Sequence, residues 1–138
     1  MKIFKWLIAG VTNGILAHLA SGFFCGFVFA FGYLENPETW QPMQQLPLGQ
    51  MALLSIVAGL IFAYVYMAFY KGIPGEGKIS KGIHFGVLVW LIGGITGPLM
   101  SLLFINMSLI VVISWVCGGF AGAVLCGIAT AAIIGEVA

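Results

Sequence analysis

Four long stretches of this chain carry no charge, and that one pattern restricts its fold more than any other. No lysine or glutamate lies between Trp6 and Tyr33, between Leu48 and Tyr70, between Gly82 and Ile105, or between Met107 and Gly135. Each stretch reaches the roughly 20 residues a helix needs to cross a hydrocarbon core. The expected fold class is therefore all-α, a polytopic membrane protein with four transmembrane helices. The expected spans cover about residues 5–33, 48–71, 82–105 and 107–134, within a single membrane domain over 1–138. Composition agrees. The chain is 62% hydrophobic and 7% charged, with neither aspartate nor arginine, far too little charge to cover a soluble surface.

Lys2 and Lys5 precede the first span in the manner of a signal peptide, but the apolar run continues through Phe31. That exceeds an ordinary secretory h-region of about 7–15 residues, so the first span is read as retained. Lys71, Lys78 and Lys81 fall between spans 2 and 3, whereas the connector after span 1 holds Glu35 and Glu38. By the positive-inside rule both termini and the 71–81 loop are cytoplasmic, in a membrane of the bacterial inner-membrane type. Trp6, Tyr66 and Tyr70 are expected at the inner interface, and Tyr33 and Trp40 at the outer one. Pro37, Pro42 and Pro47 punctuate the outer connector. Asn36-Pro37 reads as the start of a single turn, and Pro47 as the start of span 2.

Spans 1 and 3 align at an offset of 72, which places Gly10 on Gly82, Gly14 on Gly86 and Gly22 on Gly94. Spans 2 and 4 align at an offset of 59, with Ser55 on Ser114 and Gly59 on Gly118. The expected architecture is thus a tandem repeat of two helical hairpins, related by an axis along the membrane normal. Small residues recur at every fourth position. Gly10, Gly14, Gly22 and Gly26 mark span 1, Gly82, Gly86 and Gly94 span 3, and Gly118 and Gly122 span 4. Lipid supplies no hydrophobic drive for helix association, so such ridges are expected to pack helices through close backbone approach.

Polar residues inside the spans are few, and none is Asp, Glu, Lys or Arg. That removes the usual carriers of ion coupling. His18 lies mid-span on the glycine ridge, where an interhelical hydrogen bond is the first expectation and a ligand contact the second; His84 lies near the inner end of span 3. A haem shared between them is rejected, because the repeat alignment separates their depths by about 9 Å. Cys25, Met100 and Cys117 come out at similar depth and form a weak candidate set for a soft metal, so no metal or other cofactor is assigned. In span 3, Pro98 removes a helical hydrogen bond and is expected to kink the helix. Thr96 or water is expected to satisfy the freed carbonyl, and the break is expected to face Ser21–Gly26 of span 1 across a cavity. His18, Ser21, Thr96 and Pro98 are accordingly the ligand or pathway candidates.

No catalytic motif is present, so no catalytic residue is assigned and an enzyme is not expected. The leading expectation is a non-enzymatic structural or accessory protein. Its small-residue ridges would pack its own helices and those of a homo-oligomer or larger complex, with the lipid bilayer as its other partner. A small channel or transporter running past His18 and Gly93–Pro98 is the alternative, followed by a cofactor- or quinone-binding subunit. Five dispersed lysines give no nucleic-acid footprint.

Overall fold

The computed structural model describes residues 2–41 and 45–137. Pro42 lies outside them. All regular structure among these residues is helical: α1 (Lys2–Phe23), α2 (Leu48–Phe69), α3 (Lys78–Val89), α4 (Thr96–Phe104) and α5 (Leu109–Ile134), with short 3₁₀ and π turns between. Four continuous helical runs are long and apolar enough to cross a membrane: Ile3–Val28, Leu48–Gly72, Lys78–Phe104 and Leu109–Ile134. The protein is thus an all-helical chain compatible with a small integral membrane protein.

The boundaries differ from the sequence expectation at two places. Regular α geometry in span 1 stops at Phe23, not at 33, and passes through a π turn (Phe24–Val28) into a 3₁₀ turn (Ala30–Leu34). Span 3 begins at Lys78, because Lys78 and Lys81 are tolerated on its first turns. The Lys81 ammonium donates to the Tyr70 carbonyl (3.0 Å) and lies over the Tyr70 ring, which ties the end of α2 to the start of α3.

The interruption in span 3 lies ahead of the proline. α3 ends at Val89, a π turn occupies Trp90–Gly94, and α4 resumes at Thr96 with Pro98 as its third residue. The Ile95 amide reaches back five residues to the Trp90 carbonyl (3.1 Å). An extra residue in that turn is one of the known ways a helix absorbs a local disruption. Thr96 does not serve the carbonyl freed by Pro98; its hydroxyl bonds to the Ile92 carbonyl instead.

The helices form a row, α2–α1–α5–α3, in which α1 packs on α2 and α5, and α3 packs on the neighbouring face of α5. Glycine decides how close they come. A methyl on Gly14 would stand 2.7 Å from the Ile56 Cα, and one on Gly10 2.8 Å from the Leu60 Cα, so α1 and α2 meet backbone to backbone. A methyl on Gly86 would stand 2.9 Å from the Val124 Cα, and one on Gly82 2.9 Å from the Gly127 carbonyl carbon. Between span 1 and α5 the fit is looser, with a methyl on Gly118 3.3 Å from the Phe24 Cβ and one on Gly122 near Ala17 and Ala20 at ordinary van der Waals range.

Two of the expected packing glycines do not pack between helices: a Cβ on Gly22 or Gly26 would meet nothing within 4 Å. Their four-residue spacing is preserved, but at this depth span 1 meets α5 through Phe24 and Cys25 and not through its glycines. Gly94 is covered by the ring of Trp90 from its own span and faces Gly119 of α5. Conversely, Gly59 and Gly127 make the tightest contacts. A methyl on Gly59 would lie 2.6 Å from the Gly14 amide nitrogen, and one on Gly127 3.2 Å from that of Gly86.

The row curls at the end that carries the 71–81 loop. Phe62 and Phe85 meet edge to face (4.9 Å between centroids), as do Tyr66 and Phe85 (5.3 Å), bringing α2 against α3. Tyr66 and Tyr70 are buried in this cluster with Ala9, Ala63, Ile73 and Ala131. They are core residues, not the interfacial belt expected of them. At the opposite end Tyr33, Trp40 and Trp115 pack over Met107, Val111 and Val112. There the Trp115 indole donates to the Tyr33 hydroxyl (2.7 Å). The connector closes over this end through Pro37–Thr39, with Pro37 at the first turn position and the Thr39 hydroxyl donating to the Asn106 carbonyl (3.1 Å).

Candidate functional site

Beyond the Phe62–Phe85 contact, α2 and span 3 part, and a cleft of about 660 Å³ opens between them. Its volume is in the range of small-molecule sites. α1 contributes Asn13, Ala17, His18 and Ser21 to its lining; α5 contributes Trp115, Gly118 and Gly122 among others. Met51, Leu54, Ser55, Ala58 and Phe62 form the α2 wall, and Val89 represents span 3. The lining is overwhelmingly apolar and contains no Lys, Arg, Asp or Glu.

Polar groups gather at its floor. Asn13 is completely buried, as is Thr130. The Asn13 side-chain amide donates to the Thr130 hydroxyl (2.8 Å) and approaches the Gly59 carbonyl (3.5 Å). The Cys126 thiol donates to the Asn13 main-chain carbonyl (3.3 Å). Asn13 Oδ1 is left without a partner. A buried amide oxygen with no donor is costly and uncommon, so it marks this floor as a place where a donor is wanted. Sequence inspection passed over Asn13 because it sits one helical position off the glycine ridge. The available signal was that Asn13 is the sole Asn or Gln in the interior of the α1 span.

Of the four candidates, the cleft gathers two. His18 and Ser21 line it, and His18 also borders a smaller hollow of about 130 Å³ beside Ser55 and Ile56. His18 is on the rim, not buried as an interhelical bridge. Thr96 and Pro98 do not line the cleft. The cavity expected between Gly93–Pro98 and Ser21–Gly26 is displaced, because α5 stands between spans 1 and 3. Gly118 of α5 approaches Ser21 and Phe24, while Gly119 approaches Trp90 and Gly94.

The soft-metal candidates fare differently from one another. Cys25 lies 3.6 Å from the Ser114 hydroxyl, Cys117 is half-buried on α5, and Met100 is exposed on α4. Among the described residues no three His, Cys, Asp or Glu side chains cluster. His84 is exposed and engages the Ser80 carbonyl of its own helix (2.8 Å).

The chain matches no family model, no curated protein and no solved structure.

Proposed function

We propose that this chain is a small, non-enzymatic membrane protein that holds an amphipathic molecule of the lipid phase in its lateral cleft. The observation that carries the reading is the unpartnered Asn13 Oδ1, buried just under the floor of an uncharged, laterally open hollow. An apolar pocket with one or two fixed polar groups is the usual make-up of a small-molecule site. The proposal includes the lysine-bearing end at the cytoplasm, as the positive-inside rule favours.

The reading also takes the chain as two repeated hairpins, with a register that the helix contacts refine. Gly14 meets Ser55 and Ile56, while Gly86, 72 residues later, meets Ala123 and Val124, each 68 residues after its counterpart. Gly59 and Gly127 are related by the same 68. For spans 2 and 4 these contacts support an offset of 68 in place of 59. The π turns depart from the repeat: that of span 3 starts at Trp90, six residues before the equivalent of Phe24.

Native mass spectrometry of the chain from mild detergent tests the cleft. A bound amphiphile should be retained by the wild type and lost from Ala58→Trp, which fills the α2 wall. Retention in both at equal occupancy would sink the reading.

A second reading has its own support. Gly22, Gly26, Gly93 and Gly97 are open and carry no neighbour where a Cβ would be. Small residues on lipid-facing turns suit contact with another helix, which keeps an accessory role in a homo-oligomer or larger complex in view. The same spectra report it as a defined oligomer mass.

A further inference from the structure

We propose that the cleft takes a neutral single-chain amphiphile whose head is a hydrogen-bond donor, with that head at Asn13 and its chain leaving between α2 and span 3. This rests on the cleft reading above and adds the ligand's chemical class.

Two lines of argument lead to the head group. The first is the donor balance of Asn13. Its amide N–H groups face Thr130 and Gly59, its main-chain oxygen takes the Cys126 thiol, and only Oδ1 is unmatched. An acceptor without a partner selects a hydroxyl or amide head over an ester or an ether. The second is charge. No lysine or arginine reaches the cleft, so a phosphate would be desolvated there with no cation to offset it.

The path of the chain follows from the repeat. Under offsets of 72 and 68, the α1–α5 seam and the α2–span 3 seam are equivalent. Asn13 and Thr130 in the first correspond to Phe85 and Phe62 in the second, and both pairs are in contact. Further along, the first seam is closed by Gly122 against Ala17 and Ala20. Leu54, Val89 and Ile92 occupy those positions in the second. Bulkier side chains hold the second seam apart where small ones let the first close. The cleft is the open copy of a closed seam, and its apolar walls lead sideways to the bilayer.

The experiment is a native mass spectrometric titration of the intact chain in mild detergent with oleyl alcohol, methyl oleate and oleate at pH 8. Oleyl alcohol should bind at least tenfold more tightly than methyl oleate, which shares the chain and lacks the donor. Ala58→Trp should remove binding of both. In the apolar pair Asn13→Leu with Thr130→Val, the chain should still bind and the tenfold preference should vanish. Equal affinities for alcohol and ester, both lost in Ala58→Trp, would overturn the donor head and leave the cleft standing. Tightest binding of oleate would also overturn it, in favour of a carboxylate paired with His18. No binding, or binding untouched by Ala58→Trp, would remove the cleft reading itself. The alcohol and ester are compared on the wild-type chain, so the outcome does not depend on the double variant folding.

Discussion

The side-chain amide of Asn13 donates to the hydroxyl of Thr130 across 2.8 Å, joining the first span to the last in a fully buried position. Truncation to Asn13→Ala leaves Thr130 without this donor, and Thr130→Val leaves the amide facing a methyl. Each should cost about 1–3 kcal/mol, because a buried polar group is stranded. Their coupling in a double-mutant cycle should be smaller, about 0.6 kcal/mol, as is usual for hydrogen bonds between membrane helices. Unfolding in mixed micelles measures both. Strict additivity would show that the two groups do not interact.

Glycines of similar spacing should behave in opposite ways. Gly59→Leu and Gly127→Leu drive a side chain into the backbone of a facing helix, and each should lower stability by about 1–3 kcal/mol or more. Gly22→Leu enters open space and should leave the melting temperature of the monomer nearly unchanged. A Gly22→Leu variant that keeps its stability but loses an oligomer mass would move weight to the accessory reading.

Tyr33 makes a prediction about pH. Burial, followed by its contact with Cys25, pushes the Tyr33 phenol from 10.0 up to about 12. The folded protein therefore holds this proton more tightly than the unfolded chain does. The stability that follows is complete below pH 10 and is lost as pH rises through 10 towards 12. Absorbance titration of tyrosinate, comparing wild type with Tyr33→Phe, should assign one late-titrating phenol to this position. An unchanged titration curve would refute it.

Topology can be read with a membrane-impermeant thiol reagent on a cysteine-free background. A cysteine at Glu38 should be labelled from outside intact cells, and one at Glu76 only after permeabilisation. The reverse pattern would invert the orientation and leave the helix contacts as they are.

The four spans were legible because charge is excluded from all but their ends, and exclusion of charge needs no tertiary information. The glycine spacing was legible too, but which glycines pack was not. Gly14 and Gly22 look alike in sequence; the difference is whether α2 runs beside them, which depends on where the helices diverge. The displaced cavity has a similar origin. Pro98 announces an interruption in span 3, but nothing local says that α5 is inserted between spans 1 and 3. Asn13 was missed because a single amide among apolar residues carries no motif; its weight comes from Thr130, 117 residues away. The offset of 59 rested on serines and glycines drawn from a small alphabet, whereas the proposed 68 draws on facing residues that no single span contains.

The central place of α5 has a consequence for how the molecule is made. α1 and α2 can form their glycine contact as soon as both have left the ribosome, but α3 has its main packing surface on α5, which follows it in the chain. A chain interrupted before Leu109 would hold one finished hairpin and one span with its Gly82–Gly86 face bare to lipid. Inserted in chain order, as the proposed membrane reading has it, the molecule would pass through a half-assembled stage, and that bare glycine face is the feature a membrane chaperone or protease would meet first.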